Sequence, residues 1–206
     1  MAFEIEVKAH ADDPLRLKER LDALGEYTCA FEKDDTYWLL SKPRTLSSPN
    51  AGGIPDSAGS FAGSSGIRVR WEQNTGAGGR ETGRVLVTYK IKEVRDGIEV
   101  NDEREFIVSN GNTFGELLKR LGLEKGVRKH KRGWAWTCGS IYAELCEVSG
   151  LSRSLGWFIE LEILADDAES ETVADAQKEL LGLLGRLDVA EERIEERYYS
   201  EMLAEA

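Results

Sequence analysis

The chain opens on an alternation. In Phe3-Glu4-Ile5-Glu6-Val7-Lys8, apolar Phe3, Ile5 and Val7 interleave with Glu4, Glu6 and Lys8. Side chains two apart share a face of a β-strand, so one face is apolar and the other carries two acids and a base. One half-exposed strand needs no explanation, but this pattern recurs. Residues 67–71 set Arg68 and Arg70 opposite Ile67, Val69 and Trp71. Residues 84–92 set Thr88, Lys90 and Lys92 opposite Val87, Tyr89 and Ile91. Residues 101–108 offer Glu103 and Glu105, and residues 157–164 set Glu160 and Glu162 against Ile159, Leu161 and Ile163. Paired like charges on separate strands become useful when all of them point at one ligand.

This predicts an α+β fold: a closed or nearly closed antiparallel barrel with a charged interior, its apolar outer face covered by helices. Such a barrel inverts the usual small one, whose interior is filled by apolar side chains. Buried charge is costly unless paired or metal-bound. Arg and Lys grip phosphate oxygens, while carboxylates hold Mg²⁺ or Mn²⁺. A polyanion with a divalent cation therefore offsets both sets.

The remaining elements follow from caps and periodicity. Asp12, Asp13 and Pro14 lead a helix over 15–24 that Gly25 stops. Residues 28–40 read as one strand or two short ones. Residues 41–66, rich in Ser, Gly and Pro, read as a mobile loop, either a plain insertion or a lid over the barrel mouth. A hairpin loop is expected at 76–83 and a turn at Asp96-Gly97. A helix over 113–121 would begin at Asn112 or Thr113 and end at Gly122. Strands follow at 127–137, with a basic entry of Arg128, Lys129, Lys131 and Arg132, and at 142–148, with a turn near Gly150 and Gly156. Amphipathic helices over 168–184 and 191–203 are expected to pack on the sheet.

Composition narrows the function. A length of 206 residues with 41% apolar residues suits a single domain. The 38 acids outnumber the 27 bases, a net charge of −11, which argues against a general nucleic-acid binder. A small anion is not excluded, because bases can cluster locally. No apolar run approaches a membrane span and no signal-peptide pattern is visible, so a cytoplasmic location is expected. Cys29, Cys138 and Cys146 are odd in number and form no CxxC pair, indicating neither a disulfide framework nor a zinc site. His10 and His130 read as structural or solvent-exposed. The expected partner is a small anionic molecule, with no nucleic acid and no membrane; a homodimer is left open.

Glu4-Ile5-Glu6-Val7-Lys8 is similar to the ExExK motif of the CYTH, or triphosphate tunnel metalloenzyme, superfamily. The resemblance continues through Asp35-Thr36-Tyr37-Trp38, Ile67-Arg68-Val69-Arg70, Thr88-Tyr89-Lys90, the basic strand around Lys129, Glu160-Leu161-Glu162 and the tail Arg197–Leu203. It covers the chain apart from 41–66. It implies an eight-stranded antiparallel tunnel flanked by helices. By this resemblance Glu4, Glu6, Glu160 and Glu162 bind the divalent metal, Mg²⁺ or Mn²⁺. Lys8, Arg68, Arg70, Lys90 and the set Lys129, Lys131 and Arg132 bind the triphosphate, with Lys8, Glu6 and Lys90 catalytic. Glu103, Glu105 and Glu144 are additional tunnel acids. One departure stands out: Cys146 falls where the family has an Asp, and Glu144 lies two residues earlier on the same face. Residues 152–154 look like a short insertion.

The resemblance implies a metal-dependent enzyme acting on a triphosphate, with the layout and closing helix most similar to class IV adenylyl cyclases. A triphosphate hydrolase, for thiamine triphosphate or tripolyphosphate, uses the same machinery. A non-catalytic binder of nucleotide or polyphosphate is the alternative that Cys146 favours. A barrel whose charged strands are merely solvated is the plainest one.

Overall fold

A computed structural model describes residues 3–40, 66–95, 97–150 and 154–204. Its eight strands are β1 (Phe3–His10), β2 (Glu26–Leu40), β3 (Ile67–Gly76), β4 (Glu81–Arg95), β5 (Ile98–Val108), β6 (Leu123–Cys138), β7 (Ile141–Ser149) and β8 (Ser154–Ala165). They close into an antiparallel barrel in the order β1-β5-β4-β3-β2-β6-β7-β8. Residues 28–40 belong to one strand, β2, whose register against β6 shifts near Thr36. The β3–β4 hairpin is tighter than expected, because both strands run into the predicted loop and pair up to Thr75 and Glu81. Gly97, with φ of 80°, sits at the β4–β5 turn, where a left-handed backbone favours glycine. The predicted loop at 41–65 and most of the 152–154 insertion lie outside the described residues.

The helices cover the apolar outer face as the alternation requires. Helix α1 (Pro14–Leu24) starts where Asp13 Oδ1 accepts from the Arg16 amide at 3.1 Å, and Gly25 closes it. Its Leu17 and Leu21 join a buried cluster with Trp136 and Leu145 from the outer faces of β6 and β7. Helix α3 (Ser170–Arg186) presents Val173, Ala176, Leu180, Leu183 and Leu184 as one buried stripe in the same cluster as Ile5, Val7, Ile159 and Leu161. Full burial of each such side chain contributes about 1.5–3 kcal/mol, so this wall anchors the strands bearing Glu4, Glu6, Glu160 and Glu162. Helix α2 (Gly111–Arg120) covers Trp38, Val69, Val85 and Val87 through Leu118. It begins earlier than predicted, because Asn110 rather than Asn112 or Thr113 accepts from an amide of the first turn, that of Thr113, at 2.9 Å.

Residues 191–203 are not one helix. Glu191–Arg193 form a short 3-10 turn, Ile194 bridges to Ala9 of β1, and helix α4 is only Tyr199–Ala204. Glu191 and Glu195, and Glu192 and Glu196, would stack like charges four residues apart on a helix, which opposes it. The Glu195 amide instead donates to the Lys8 carbonyl at 2.8 Å. None of the described helices is long and apolar enough to cross a membrane.

Candidate functional site

Strand alternation turns Glu4, Glu6 and Lys8 of β1, Arg68 and Arg70 of β3, Lys90 of β4, and Glu103 and Glu105 of β5 into the barrel. Lys129 and Lys131 of β6, Glu144 of β7, and Glu160 and Glu162 of β8 meet them there, lining a cavity of about 570 Å³. Every predicted site residue except one therefore converges. The exception is Arg132, which points outward, exposed to solvent, with its guanidinium on Glu147 at 2.7 and 2.9 Å. Its parity is opposite to that of Lys129 and Lys131, so a strand that turns those two inward excludes it.

One wall is basic. Asp35 of β2, almost fully buried, accepts from Arg70 Nε at 2.7 Å and Nη2 at 2.9 Å, and lies 3.1 Å from Lys129 Nζ. Burial alone would raise its carboxyl; Arg70 and Lys129 override this and hold it well below the usual range. Glu144 is bound in the same way by Lys33 and by Lys131 Nζ, the latter at 2.7 Å, and they likewise hold its carboxyl low against the opposing effect of burial. Lys131 also pairs with Glu160. Arg68 reaches Glu103 at 2.9 Å and Thr88 Oγ1 at 3.0 Å, yet its Nε is buried with no hydrogen-bond partner among the described residues.

The facing wall, on β1, β5 and β8, holds more acid than base. Lys90 Nζ lies among Glu4, Glu6 and Glu103, paired most closely with Glu4 and 4.0 Å from each of the others. Lys8 pairs with Glu99 at 3.1 Å. Glu4 is held low by Lys90 despite its burial. Its neighbours are not so compensated. Burial, then Glu99, Glu160 and Glu4, push Glu6 up to about 8; burial, then Glu4 and Glu6, push Glu162 up to about 9. Among the described residues no three acidic, His or Cys side chains are gathered closely enough to chelate an ion as they stand.

These carboxyls set a pH dependence. A carboxyl whose pKa is raised by folding contributes stability below its unfolded value, about 4.5, and loses it as pH rises through the folded value. The effect reaches about 1.4 kcal/mol per pH unit for each proton released. In metal-free buffer the melting temperature is therefore expected to fall by roughly 3 °C or more per unit between about pH 5 and pH 9. Glu162→Gln should flatten that slope. An equally steep fall in the variant would assign the slope to other groups.

The interior is not charged throughout. Cys29, Phe31, Ala135, Cys146, Val148 and Phe158 form an apolar cluster with Tyr199 and Met202 of α4. Tyr199 donates to Glu160 at 2.6 Å, and Lys8 and Lys129 lie 4.9 and 5.0 Å from its ring centroid. Cys146 is fully buried, 4.0 Å from Glu160, and burial pushes its thiol well above the usual range. It is an apolar filler rather than an acid; Glu144 supplies the carboxylate on this strand.

Several lining residues escaped the sequence reading: Lys33, Glu72, Arg84, Glu99 and Tyr142, and the role of Asp35. On β2 the alternation is unreadable, because Lys33 and Asp35 face inward while Glu32 and Asp34 are exposed. Both faces are charged, so period two leaves no signal. Glu99 precedes the segment assigned as a strand.

No protein-family model and no curated protein matches the chain. Solved structures do. PH1819 protein from Pyrococcus horikoshii OT3 is 24% identical, with 98% of each chain covered and a TM-score of 0.71. A candidate adenylate cyclase from Vibrio parahaemolyticus is 18% identical, with 98% of each chain covered and a TM-score of 0.69. HpAC1 from Hippeastrum, named for adenylyl cyclase and described as having a dominant triphosphatase activity, is 18% identical over 92% of this chain and 89% of its own, with a TM-score of 0.51. The chain shares with these structures one fold, the closed eight-stranded antiparallel barrel.

Proposed function

We propose that the chain is a divalent-metal-dependent enzyme acting on a triphosphate held in the barrel. One observation carries this reading: the inward charges are segregated, cations with shared carboxylates on β2, β3 and β6, and the under-compensated carboxyls of Glu6 on β1 and Glu162 on β8, beside Glu4 and Glu160, which Lys90 and Lys131 hold low. A polyanion suits the first wall. Mg²⁺ or Mn²⁺ suits the second, where Glu6 and Glu162 are hard oxygen donors with too little positive charge beside them. Glu4, Glu6, Glu160 and Glu162 would hold the ion, which when bound neutralises phosphate oxygens.

The chain's own residues supply the rest. Arg68, Arg70, Lys129 and Lys131 bind the phosphate chain and hold it extended, exchanging their carboxylate partners for phosphate oxygens. Arg68 Nε, a buried donor without an acceptor, gains one. Lys8 and Lys90 stabilise charge that develops at the reacting phosphoryl group, and Glu6, beside Lys90, completes the catalytic set. Glu103, Glu105 and Glu144 keep these cations in place before substrate arrives. Glu144 lines the cavity as an acid, which supports an enzyme over a passive binder despite Cys146.

Two outcomes fit this site. In the leading one the ribose 3′-oxygen of ATP attacks the α-phosphorus and pyrophosphate leaves, giving cyclic AMP. The layout and the likeness to the Vibrio structure support it. In the second, water attacks the terminal phosphorus, its bond to the bridging oxygen breaks, and the diphosphate leaves as orthophosphate forms; the likeness to HpAC1 supports that. Product separation after incubation with ATP, thiamine triphosphate or tripolyphosphate and Mg²⁺ or Mn²⁺ decides. Cyclic AMP with pyrophosphate establishes the cyclase; orthophosphate with the matching diphosphate, and no cyclic AMP, the hydrolase. Metal-dependent binding without product would reduce the chain to a binder, and no binding would reject the proposal. The reading places the protein in a soluble compartment with a small-molecule partner and no nucleic acid.

A further inference from the structure

We infer that Lys33 is a further triphosphate-binding residue, forming with Lys131 an anion subsite that Glu144 fills until substrate displaces it. The inference rests on the triphosphate reading above.

Lys33 and Lys131 are direct partners across the β2–β6 ladder, both buried and both facing the cavity. Their ammonium groups lie over one aromatic floor, 4.4 and 5.7 Å from the Phe31 ring centroid. Both are bound to the single carboxylate of Glu144. Two cations converging on one carboxylate resemble Arg70 and Lys129 on Asp35, two residues along the β2–β6 ladder, where the acid stands on β2 and the second cation comes from β3. Glu72, across the β2–β3 ladder from Lys33 and under its field, makes its direct ion pair with Arg84, at 3.0 Å. Glu144 sits two residues from Cys146 on the inward face of β7. A carboxylate bridging two ammonium groups makes charge-assisted contacts that a terminal phosphate oxygen can also make, with more charge. A purely structural Lys33–Glu144 pair has no reason to share its acid with Lys131 at the cavity surface.

The test is calorimetric titration of tripolyphosphate, without metal and at low salt, into wild type, Lys33→Gln, Lys33→Arg and Glu144→Gln, with melting curves as a folding control. Lys33→Gln is expected to weaken binding roughly tenfold or more, and Lys33→Arg to retain most of it. Glu144→Gln removes the competitor and is expected to tighten binding, the opposite of what loss of a structural pair produces. This arm stands if Lys33→Gln fails to fold. Wild-type affinity in Lys33→Gln, or weaker binding in folded Glu144→Gln, overturns the inference while leaving the triphosphate reading intact. A wild type that binds no tripolyphosphate with or without Mg²⁺ overturns both.

Discussion

Asp35→Ala is expected to lower stability by about 3–5 kcal/mol, and the melting temperature by roughly 6–20 °C. Few positions concentrate so much charge out of water. The Asp35 side chain is 0% exposed, and Arg70 and Lys129, at 10% and 5%, both depend on it. Removing it leaves a guanidinium and an ammonium facing each other without an anion. Arg70 loses a two-pronged contact at 2.7 and 2.9 Å that burial makes strong. The bias has a sign that separates it from ordinary core damage. A polyanion entering the cavity supplies the missing negative charge, so tripolyphosphate should raise the melting temperature of Asp35→Ala by more than it raises that of wild type. Thermal melts with and without ligand read both effects. A melting temperature within 2 °C of wild type would show that the buried cations find other partners.

The second large effect falls on turnover. Arg68→Ala and Lys90→Ala are each expected to reduce kcat/KM by roughly 10²-fold or more, with the barrel still folded. Lys90 is the cation that keeps Glu4 ionised, and Glu4, Glu103 and Glu6 in turn raise the Lys90 pKa against the effect of burial. Its loss removes a phosphate contact and lets the acidic wall protonate further. Arg68 makes its carboxylate contacts through one end of the guanidinium only, so its loss costs the structure little and the ligand much. Steady-state kinetics on whichever triphosphate is turned over give the measure. Folded variants with wild-type kcat/KM would place the reaction elsewhere. A barrel whose charged strands are merely solvated predicts that outcome.

The sequence showed the tunnel most clearly where one face was apolar. Glu4, Glu6 and Lys8 are legible because Ile5 and Val7 must pack under α3, which forces the other face inward; Glu160 and Glu162 follow from Ile159 and Leu161 in the same way. Lys33 and Asp35 were not legible as tunnel residues, because β2 carries charge on both faces and nothing in its period distinguishes inside from outside. Arg132 was misplaced by reading a basic run as one patch; parity along β6 divides that run between cavity and solvent. The apolar cluster around Tyr199 and Met202 was missed for a different reason. Tyr199 and Met202 meet Phe158 and Phe31 from opposite ends of the chain, and such a contact leaves no local periodicity. The apolar stripe of 191–203 suggested a helix, but like charges on its polar side and the Ile194–Ala9 bridge broke it.

The central claim is that this inward ionic lining is a receptor for a triphosphate. Calorimetric titration of tripolyphosphate into the purified chain, at low salt with and without Mg²⁺, measures it most directly. The account predicts saturable one-to-one binding that strengthens with Mg²⁺, weakens with added salt and is lost in Arg68→Ala with Lys90→Ala. Absence of heat and of any thermal shift under every condition, in a chain that melts cooperatively, would contradict it.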